Sequence, residues 1–197
     1  MDLSRVAAHR PERITDEDRD AAVLVPVVER DDGPALLFTK RADHLGEHPG
    51  QMSFPGGGRE PSDRDLRDTA AREANEEISL YLEEISFVGQ LDDIRTTSRY
   101  SVTPFVARVP DREYEPDERE VDEVAVLSVV DLTDPDNYEV EKRRHPRYGE
   151  AIVHFFHVDD YTVWGATGRI LVQFLDLAVG WTPPEREPEV VEMDPDD

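Results

Sequence analysis

The chain of 197 residues contains no cysteine, only two lysines and no apolar run that approaches the length of a bilayer span. Without cysteine, neither a disulfide framework nor a thiolate metal site can form. A transmembrane helix needs about 18 or more apolar residues in a row, and the N-terminus lacks the apolar core of a signal peptide. We therefore expect a cytoplasmic protein that has no membrane partner.

Acidic residues outnumber basic ones by 46 to 22, which gives a formal net charge of -24. A charge of this sign and size disfavours nucleic acids and anionic membranes as partners. It also suggests a halophilic cytoplasm. In 1 M salt the electrostatic screening length shrinks to about 3 Å, so repulsion between the acidic residues of the chain becomes weak. The alternative interpretation is an ordinary protein with acidic tails.

Residues 54–80, FPGGGREPSDRDLRDTAAREANEEISL, combine a glycine-rich turn with a predicted helix. Ser62, with Asp65 three residues later, predicts a capped helix start. Small or apolar side chains fall on one stripe at helical spacing, so this helix can pack closely on its neighbour. The residues of the stripe are Ala70, Ala71, Ala74 and Ile78.

Three glutamates, Glu73, Glu76 and Glu77, lie on the neighbouring arc of this helix at the spacing i, i+3, i+4. Carboxylates so close together repel one another unless a cation lies among them. Mg²⁺ takes such oxygen ligands together with the phosphates of a substrate. In so acidic a chain, the same spacing also fits a solvated acidic face, so the glutamates alone do not decide between the two interpretations.

The glycines before the helix and the run Arg72-Glu73-Ala74-Asn75-Glu76-Glu77-Ile78-Ser79-Leu80 together resemble the Nudix box. The chain departs from the box pattern at two points. Ser79 stands where the family has glycine. The first glutamate of the box would fall on Arg64, whereas the nearest acid is Asp63, so the loop before the helix is one residue longer than in the standard box.

Residues 37–57 resemble the signature of the coenzyme A pyrophosphatase branch of Nudix hydrolases, whose box shares the longer loop. Gly46 stands where this branch usually has arginine. The resemblance covers roughly residues 21–181. The matching residues are Thr39, Arg41, Leu45, Gly50, Phe54, Pro55, Gly56 and Gly57.

The resemblance implies an α/β fold, a Nudix-type α/β/α sandwich with a mixed β-sheet, formed by a single domain over residues 1–181. The acidic, proline-bearing residues 182–197 are predicted to be a disordered tail. Pro104, inside a predicted strand, favours a sheet edge or a bulge. Apolar patterning predicts strands at 21–28, 35–39, 85–91, 101–109, 123–130, 137–142 and 151–158, and a late helix at 163–179.

The resemblance also implies hydrolysis of a pyrophosphate with Mg²⁺ or Mn²⁺ as cofactor. Glu73 and Glu77 would then be the leading metal ligands, and Glu76 would share a metal or act in catalysis. Arg72 would orient the glutamates. The general base would be either a box glutamate or an acid from a later loop, and our candidates from the later loop are Glu123 first and then Glu120.

Coenzyme A is strongly anionic, so basic groups must be concentrated near the site. Lys40 and Arg41 precede the signature loop and Arg59 follows the glycines, while Gly56 and Gly57 let the backbone approach closely. Distal arginines could contact substrate or pair with the acidic surface, and two histidines could contact phosphate or be solvated. These residues are Arg95, Arg99, Arg143, Arg144 and Arg147, and His44 and His48.

The first hypothesis is therefore cleavage of coenzyme A to 4'-phosphopantetheine and adenosine 3',5'-bisphosphate. Another Nudix substrate, such as ADP-ribose, NADH or a nucleoside triphosphate, is the main alternative, and Gly46 keeps it open. A Nudix-fold binding module without turnover is the alternative from another class. The partner is a small nucleotide-like molecule in either enzymatic case, and a homodimer is left open.

Overall fold

The computed structural model describes residues 1–42, 50–96, 98–145 and 149–192. Leu45, Gly46, His44, His48 and Arg147 lie outside the described residues. Within those ranges, no helix is long and apolar enough to cross a membrane.

The larger of the two sheets surrounds a central parallel pair of strands, β1 and β7. β1 pairs with β2 on one side and β7 on the other, and both faces of the sheet are covered there, which explains its nearly continuous apolar run. The other pairings are antiparallel, so the sheet is mixed. Its strands are β1 (Arg19–Arg30), β2 (Gly33–Arg41), β3 (Met52–Ser53), β4 (Gly56–Gly58), β5 (Ser86–Gln90), β6 (Ile94–Arg95), β7 (Tyr100–Val109) and β8 (Val121–Ser128).

Helix α2 (Leu66–Ile78) packs on one face of this sheet through the predicted stripe of three alanines and Ile78, all of which are buried. The opposite face packs against helix α4 (Gly165–Val179) and a second sheet. The predicted α/β/α sandwich with a mixed sheet is therefore confirmed. The remaining elements are α1 (Ser4–Ala8), α3 (Val129–Leu132), β9 (Tyr138–His145), β10 (Gly149–Val158), β11 (Tyr161–Val163) and β12 (Glu189–Glu192).

The two ends of α2 are formed by Asp65 and Ser79. The prediction that Ser62 begins the helix is wrong, because Asp65 is the cap and its side chain accepts hydrogen bonds from the backbone N–H groups of Arg67 and Asp68. Ser79 adopts a left-handed conformation (φ 54°) at the other end. The serine therefore makes the left-handed helix exit that glycine usually makes, at a cost of about 1–2 kcal/mol for an L-residue.

Pro104 lies neither at a sheet edge nor in the bulge of the β5–β7 pairing, which falls between Phe87 and Gly89, so both predicted alternatives are wrong. It lies in β7, between β1 and the edge formed by β5 and β6. The pairing with β5 ends at Phe105 and that with β6 begins at Val102, so Pro104 lies where the neighbouring strand changes. A missing N–H is tolerated there because the ladder is already interrupted on that side.

The expected disorder from residue 182 onward is wrong for Glu189–Glu192, which forms β12 and pairs in parallel with β9. The guanidinium of Arg186 donates to the carbonyl oxygen of Tyr138 (2.6 Å), and Glu192 pairs with Arg144 (3.2 Å). The composition predicted disorder because it could not show that β9 presents an open edge and basic partners to this segment.

Candidate active site

Arg72 lies at the centre of a hydrogen-bond network between α2 and the glycine turn. A guanidinium has five N–H donors, and all five of Arg72 have an acceptor. The acceptors are both carboxylate oxygens of Asp63 (3.0 and 3.1 Å), the carbonyl oxygen of Gly58 (2.9 Å), Glu73 Oε1 (2.9 Å) and Glu76 Oε2 (3.0 Å). The side chain therefore has one defined orientation and links the turn to two of the glutamates.

Asp63 takes the position that the longer loop leaves for the first acid of the box. Its side chain is only 4% exposed and also accepts from the Thr69 hydroxyl (2.9 Å) and the Glu60 backbone N–H (2.8 Å). The hydrogen bonds from Arg72 hold the pKa of this carboxyl well below its usual range. The sequence indicates Asp63 only as a displaced match to the box, and it does not predict the ion pair with Arg72.

Glu77 is the most deeply buried of the three glutamates. Burial first, and then the charges of Glu73 and Glu120, raise its pKa to about 8, while a backbone hydrogen bond from Gly56 and the charge of Arg41 oppose the rise. Its Oε2 atom is buried and has no hydrogen-bond partner among the described residues. A buried acceptor without a donor is costly, so this oxygen requires a proton or a cation.

Glu73 lies against the glycine turn. A Cβ at position 57 would come within 2.5 Å of Glu73 Oε1, so any side chain there would displace the Glu73 carboxylate. A Cβ at position 56 would come within 2.4 Å of the carbonyl oxygen of Ala22, so Gly56 is required by the approach of the turn to β1. Burial also raises the pKa of Glu73, while Arg72 opposes that rise.

The loop before β8 brings Glu120 towards these carboxylates. The backbone N–H of Asp117 donates to the carbonyl oxygen of Glu77 (2.8 Å), and that of Ala42 donates to the carbonyl oxygen of Glu120 (3.0 Å). The charge of Glu120 raises the pKa of both Glu73 and Glu77. The loop is therefore attached to the end of α2 through Asp117 and to the residue after β2 through Glu120.

Glu123, the first sequence-based candidate for the general base, lies elsewhere. Its Oε1 accepts a hydrogen bond from the Tyr161 hydroxyl (2.5 Å), and in the sheet register it stands opposite Lys40. Strand β8 has already begun at Val121, so Glu123 is directed by the pairing of β8 with β2. Of the two acids, Glu120 is the one whose charge raises the pKa of Glu73 and Glu77.

The three predicted substrate-binding cations separate in the structure. Arg41 lies within electrostatic reach of Glu77, whose pKa it lowers. Lys40 stands beside Glu123 across β2 and β8. Arg59 donates to the carbonyl oxygens of Asp63 and Arg64 (3.4 Å each) and lines a separate cleft.

Most of the distal arginines form ion pairs with acidic side chains. Arg99 lies in the turn before β7 with a left-handed backbone (φ 62°). Arg143 also lies over the rings of Phe155 and Trp164. Three of them pair with carboxylates: Arg95 with Asp16 and Glu17, Arg143 with Glu141, and Arg144 with Glu150 and Glu192.

No three carboxylate or histidine side chains in the described parts of the chain converge into a ready-made metal site. Arg72 occupies one oxygen of Glu73 and one of Glu76, whose side chain is 58% exposed. The donor set nevertheless fits a divalent cation, because Glu77 Oε2 lacks a partner and lies near two other acids. A cleft of about 500 Å³ lies beside α2, and its lining includes Asp63 and Arg72 but neither Glu73 nor Glu77.

Comparison with known proteins decides the family. The model of the NUDIX domain matches residues 18–152. The chain belongs to the Nudix family. The uncharacterized Nudix hydrolase NudL of Enterobacter sp. (strain 638) is 35% identical over 187 residues, with 92% of this chain and 94% of that protein covered. NudL of Photorhabdus laumondii is 32% identical over 167 residues, with 83% and 87% covered.

A solved Nudix hydrolase from Nitrosomonas europaea shares the fold, with a TM-score of 0.55 and 14% identity over 94% of this chain and 82% of that one. The chain is thus a Nudix hydrolase, a pyrophosphohydrolase that acts on nucleoside diphosphate derivatives. The family resemblance and the geometry of this Nudix hydrolase coincide at the carboxylate cluster beside the glycine turn. This cluster consists of Glu73, Glu76 and Glu77.

Proposed function

We propose that this Nudix hydrolase cleaves the diphosphate of coenzyme A or its derivatives, giving 4'-phosphopantetheine and adenosine 3',5'-bisphosphate. The observation that carries the proposal is that the charge of Arg41, at the end of β2, acts on Glu77 and lowers its pKa. Arg41 belongs to the branch signature, and it is the one signature cation among the described residues that reaches the carboxylate cluster. It would offset the repulsion between a diphosphate and the acids around it.

Three other signature residues, Thr39, Phe54 and Pro55, make contacts that hold the glycine turn against the sheet. The Thr39 hydroxyl lies 3.1 Å from the Ser53 hydroxyl and holds β2 to β3. Phe54 stacks on Phe38 with ring centroids 4.7 Å apart, and the carbonyl oxygen of Pro55 accepts from the backbone N–H of Leu24 (2.8 Å). These contacts fix the turn that Glu73 packs against.

Glu73 and Glu77, with Glu76 at the rim, would hold Mg²⁺ or Mn²⁺, which would supply charge neutralisation at the phosphate oxygens. Arg72 keeps Glu73 and Glu76 in place by hydrogen bonding. Glu120 would accept the proton of the water that attacks phosphorus. The new P–O bond then comes from that water, and the bond to the bridging oxygen breaks, so one phosphate leaves on each product.

A panel assay with Mg²⁺ tests the proposal, comparing coenzyme A, ADP-ribose, NADH and dGTP. Coenzyme A should give the highest kcat/KM, with both expected products detected by mass. Preference for any of the other three compounds would leave a Nudix hydrolase with a different substrate. Absence of turnover on all four would favour a binding module.

We also propose that the chain is adapted to high salt. Its net charge of -24 is combined with 20 arginines and two lysines among 22 basic residues. Buried ion pairs such as Arg72–Asp63 persist in salt, whereas repulsion between surface carboxylates is screened.

A further inference from the structure

A cleft of about 390 Å³ lies between the N-terminal arm, the start of α2 and strands β5 and β7. It is separate from the carboxylate cluster. Arg67 and Glu77 are ten residues apart on α2, which corresponds to about 15 Å along the helix axis at 1.5 Å per residue. The lining residues that matter are Arg13, Arg59, Arg64, Arg67, Gln90 and Phe105.

Four guanidinium groups thus face one cleft in a chain with 46 acidic and 22 basic residues. Asp65 is the one acid in the described lining, and its side chain already accepts from the first N–H groups of α2. Arg64 pairs with Asp68 on the surface. In so acidic a chain, arginines are expected to find carboxylates, so their concentration here is informative.

Within the described residues, Arg13, Arg59 and Arg67 form no ion pair with a carboxylate. Arg13 donates to Gln90 Oε1 (3.2 Å), and Arg59 donates to two carbonyl oxygens (3.4 Å each). Arg67 lies over the rings of Phe87 (4.8 Å) and Phe105 (5.9 Å). These contacts orient the three guanidinium groups without pairing any of them with a carboxylate of the described residues.

Gln90 adds an independent observation. Its Nε2 atom is buried and has no acceptor among the described residues, while its Oε1 atom is taken by Arg13. A buried amide donor needs an acceptor. Because this atom is closed to solvent, it can donate to an anion in the cleft only after the Gln90 side chain rotates towards the arginines.

We propose that this cleft is a second, anion-binding site that takes a phosphate-bearing molecule. Guanidinium groups bind phosphate oxygens through paired, charge-assisted hydrogen bonds, and the volume is sufficient for a nucleoside phosphate. The phosphate is either a distal group of the substrate or a free anion. The separation of about 15 Å between Arg67 and Glu77 along α2 argues against this phosphate being part of the diphosphate that reacts.

Binding of inorganic pyrophosphate to the full chain, measured by calorimetry in EDTA, tests the proposal. EDTA removes divalent cations, so the catalytic carboxylates repel the anion and binding reports the second site. We expect one pyrophosphate per chain, and at least tenfold weaker binding by Arg13→Gln/Arg67→Gln. A control of equal charge change, Arg5→Gln/Arg30→Gln, alters arginines that pair with Asp176 and with Asp32 and Asp111 and should bind as wild type does.

Three results would overturn the site. The first is no saturable binding up to ~10 mM pyrophosphate, which would mean an affinity weaker than millimolar. The others are equal weakening in both double variants and wild-type binding by Arg13→Gln/Arg67→Gln. Circular dichroism establishes that each variant is folded. Arg67→Lys keeps the charge but loses the paired hydrogen bonds of the guanidinium, so it should weaken binding less than Arg67→Gln does. A rise in KM at unchanged kcat in Arg13→Gln/Arg67→Gln identifies a distal phosphate of the substrate. An unchanged KM with weakened pyrophosphate binding identifies a free anion. The pyrophosphate measurement does not depend on which substrate the enzyme cleaves.

Discussion

The backbone N–H of Asp117 donates a hydrogen bond to the carbonyl oxygen of Glu77 at 2.8 Å. This contact joins the acidic loop before β8 to the last turn of the helix that carries the glutamates. Because the loop also ends in a hydrogen bond to Ala42 at the end of β2, the position of Glu120 is fixed from both sides. Two sequence-distant segments therefore form one site.

Glu120→Gln should lower kcat by about 10²–10⁴, the usual effect of losing a general base. Glu123→Gln is the matched control, since it removes an acid three residues away that is bonded to Tyr161, and kcat should stay within a few-fold. Steady-state kinetics on the preferred substrate with Mg²⁺ distinguishes the two. A large loss in the Glu123 variant alone would restore the original sequence-based choice.

Glu77→Gln should abolish most activity. In metal-free buffer, the variant should also be more stable than the wild type, by an amount that grows as pH rises. The pKa of Glu77 is about 8 in the folded chain, against an ordinary value of 4.5. Between these values only the unfolded chain is ionised at this group, so the stability of the wild type falls as pH rises towards 8 and then levels off. The amide side chain of the variant does not ionise, so the substitution removes that dependence.

Denaturant unfolding in EDTA between pH 5 and pH 9 measures this difference. The gap between variant and wild type should widen with pH up to about 8, and Mg²⁺ should stabilise the wild type but not the variant. Glu118→Gln, which alters an exposed acid of the nearby loop, serves as the control and should behave as the wild type. A pH-independent gap would show that Glu77 is not buried as an acid.

Asp63→Asn should destabilise the fold by about 3 kcal/mol, because it leaves the half-buried Arg72 guanidinium without its main carboxylate partner. Asp68→Asn breaks the exposed pair with Arg64 and should change the stability little. Urea unfolding compares the two. Equal effects would mean that the Arg72 network contributes no more than a surface ion pair.

The sequence predicted the sandwich and the buried stripe of α2 because both follow from local periodicity and a contiguous motif. It identifies Glu73 and Glu77 as candidate metal ligands on α2 because the box motif is contiguous. It could not choose between Glu120 and Glu123, since that choice depends on where β8 begins and on the hydrogen bond from Asp117 to Glu77. The arginine cleft also joins segments that are distant in sequence, which periodicity does not relate.

The cap position and the tail were mispredicted for similar reasons. Ser62 and Asp65 are both good capping residues, and the side chain of Ser62 is instead bonded to Glu60. The register of β12 depends on the free edge of β9, which no local composition reveals.

Ser79→Gly should stabilise the protein by about 1 kcal/mol, because glycine adopts the left-handed conformation at φ 54° without the steric cost of a side chain. Ser86→Gly, in the extended backbone of β5, should instead destabilise slightly. Thermal unfolding of both variants measures the contrast. If both substitutions are destabilising, the left-handed helix exit at Ser79 is not strained.

Raising KCl from about 50 mM to above about 1 M should raise the midpoint of thermal unfolding. The screening length falls to about 3 Å at 1 M, so repulsion between surface carboxylates is then weak. The cause is the net charge of -24, so a variant that replaces exposed acids with glutamine should need less salt. Suitable positions are Glu83, Glu113 and Glu118, which are exposed and form no ion pair among the described residues. Replacing three exposed serines or threonines with glutamine controls for the substitutions themselves. Full stability of the wild type at the lowest salt concentration would rule out adaptation to high salt, because surface repulsion would then be too weak to matter.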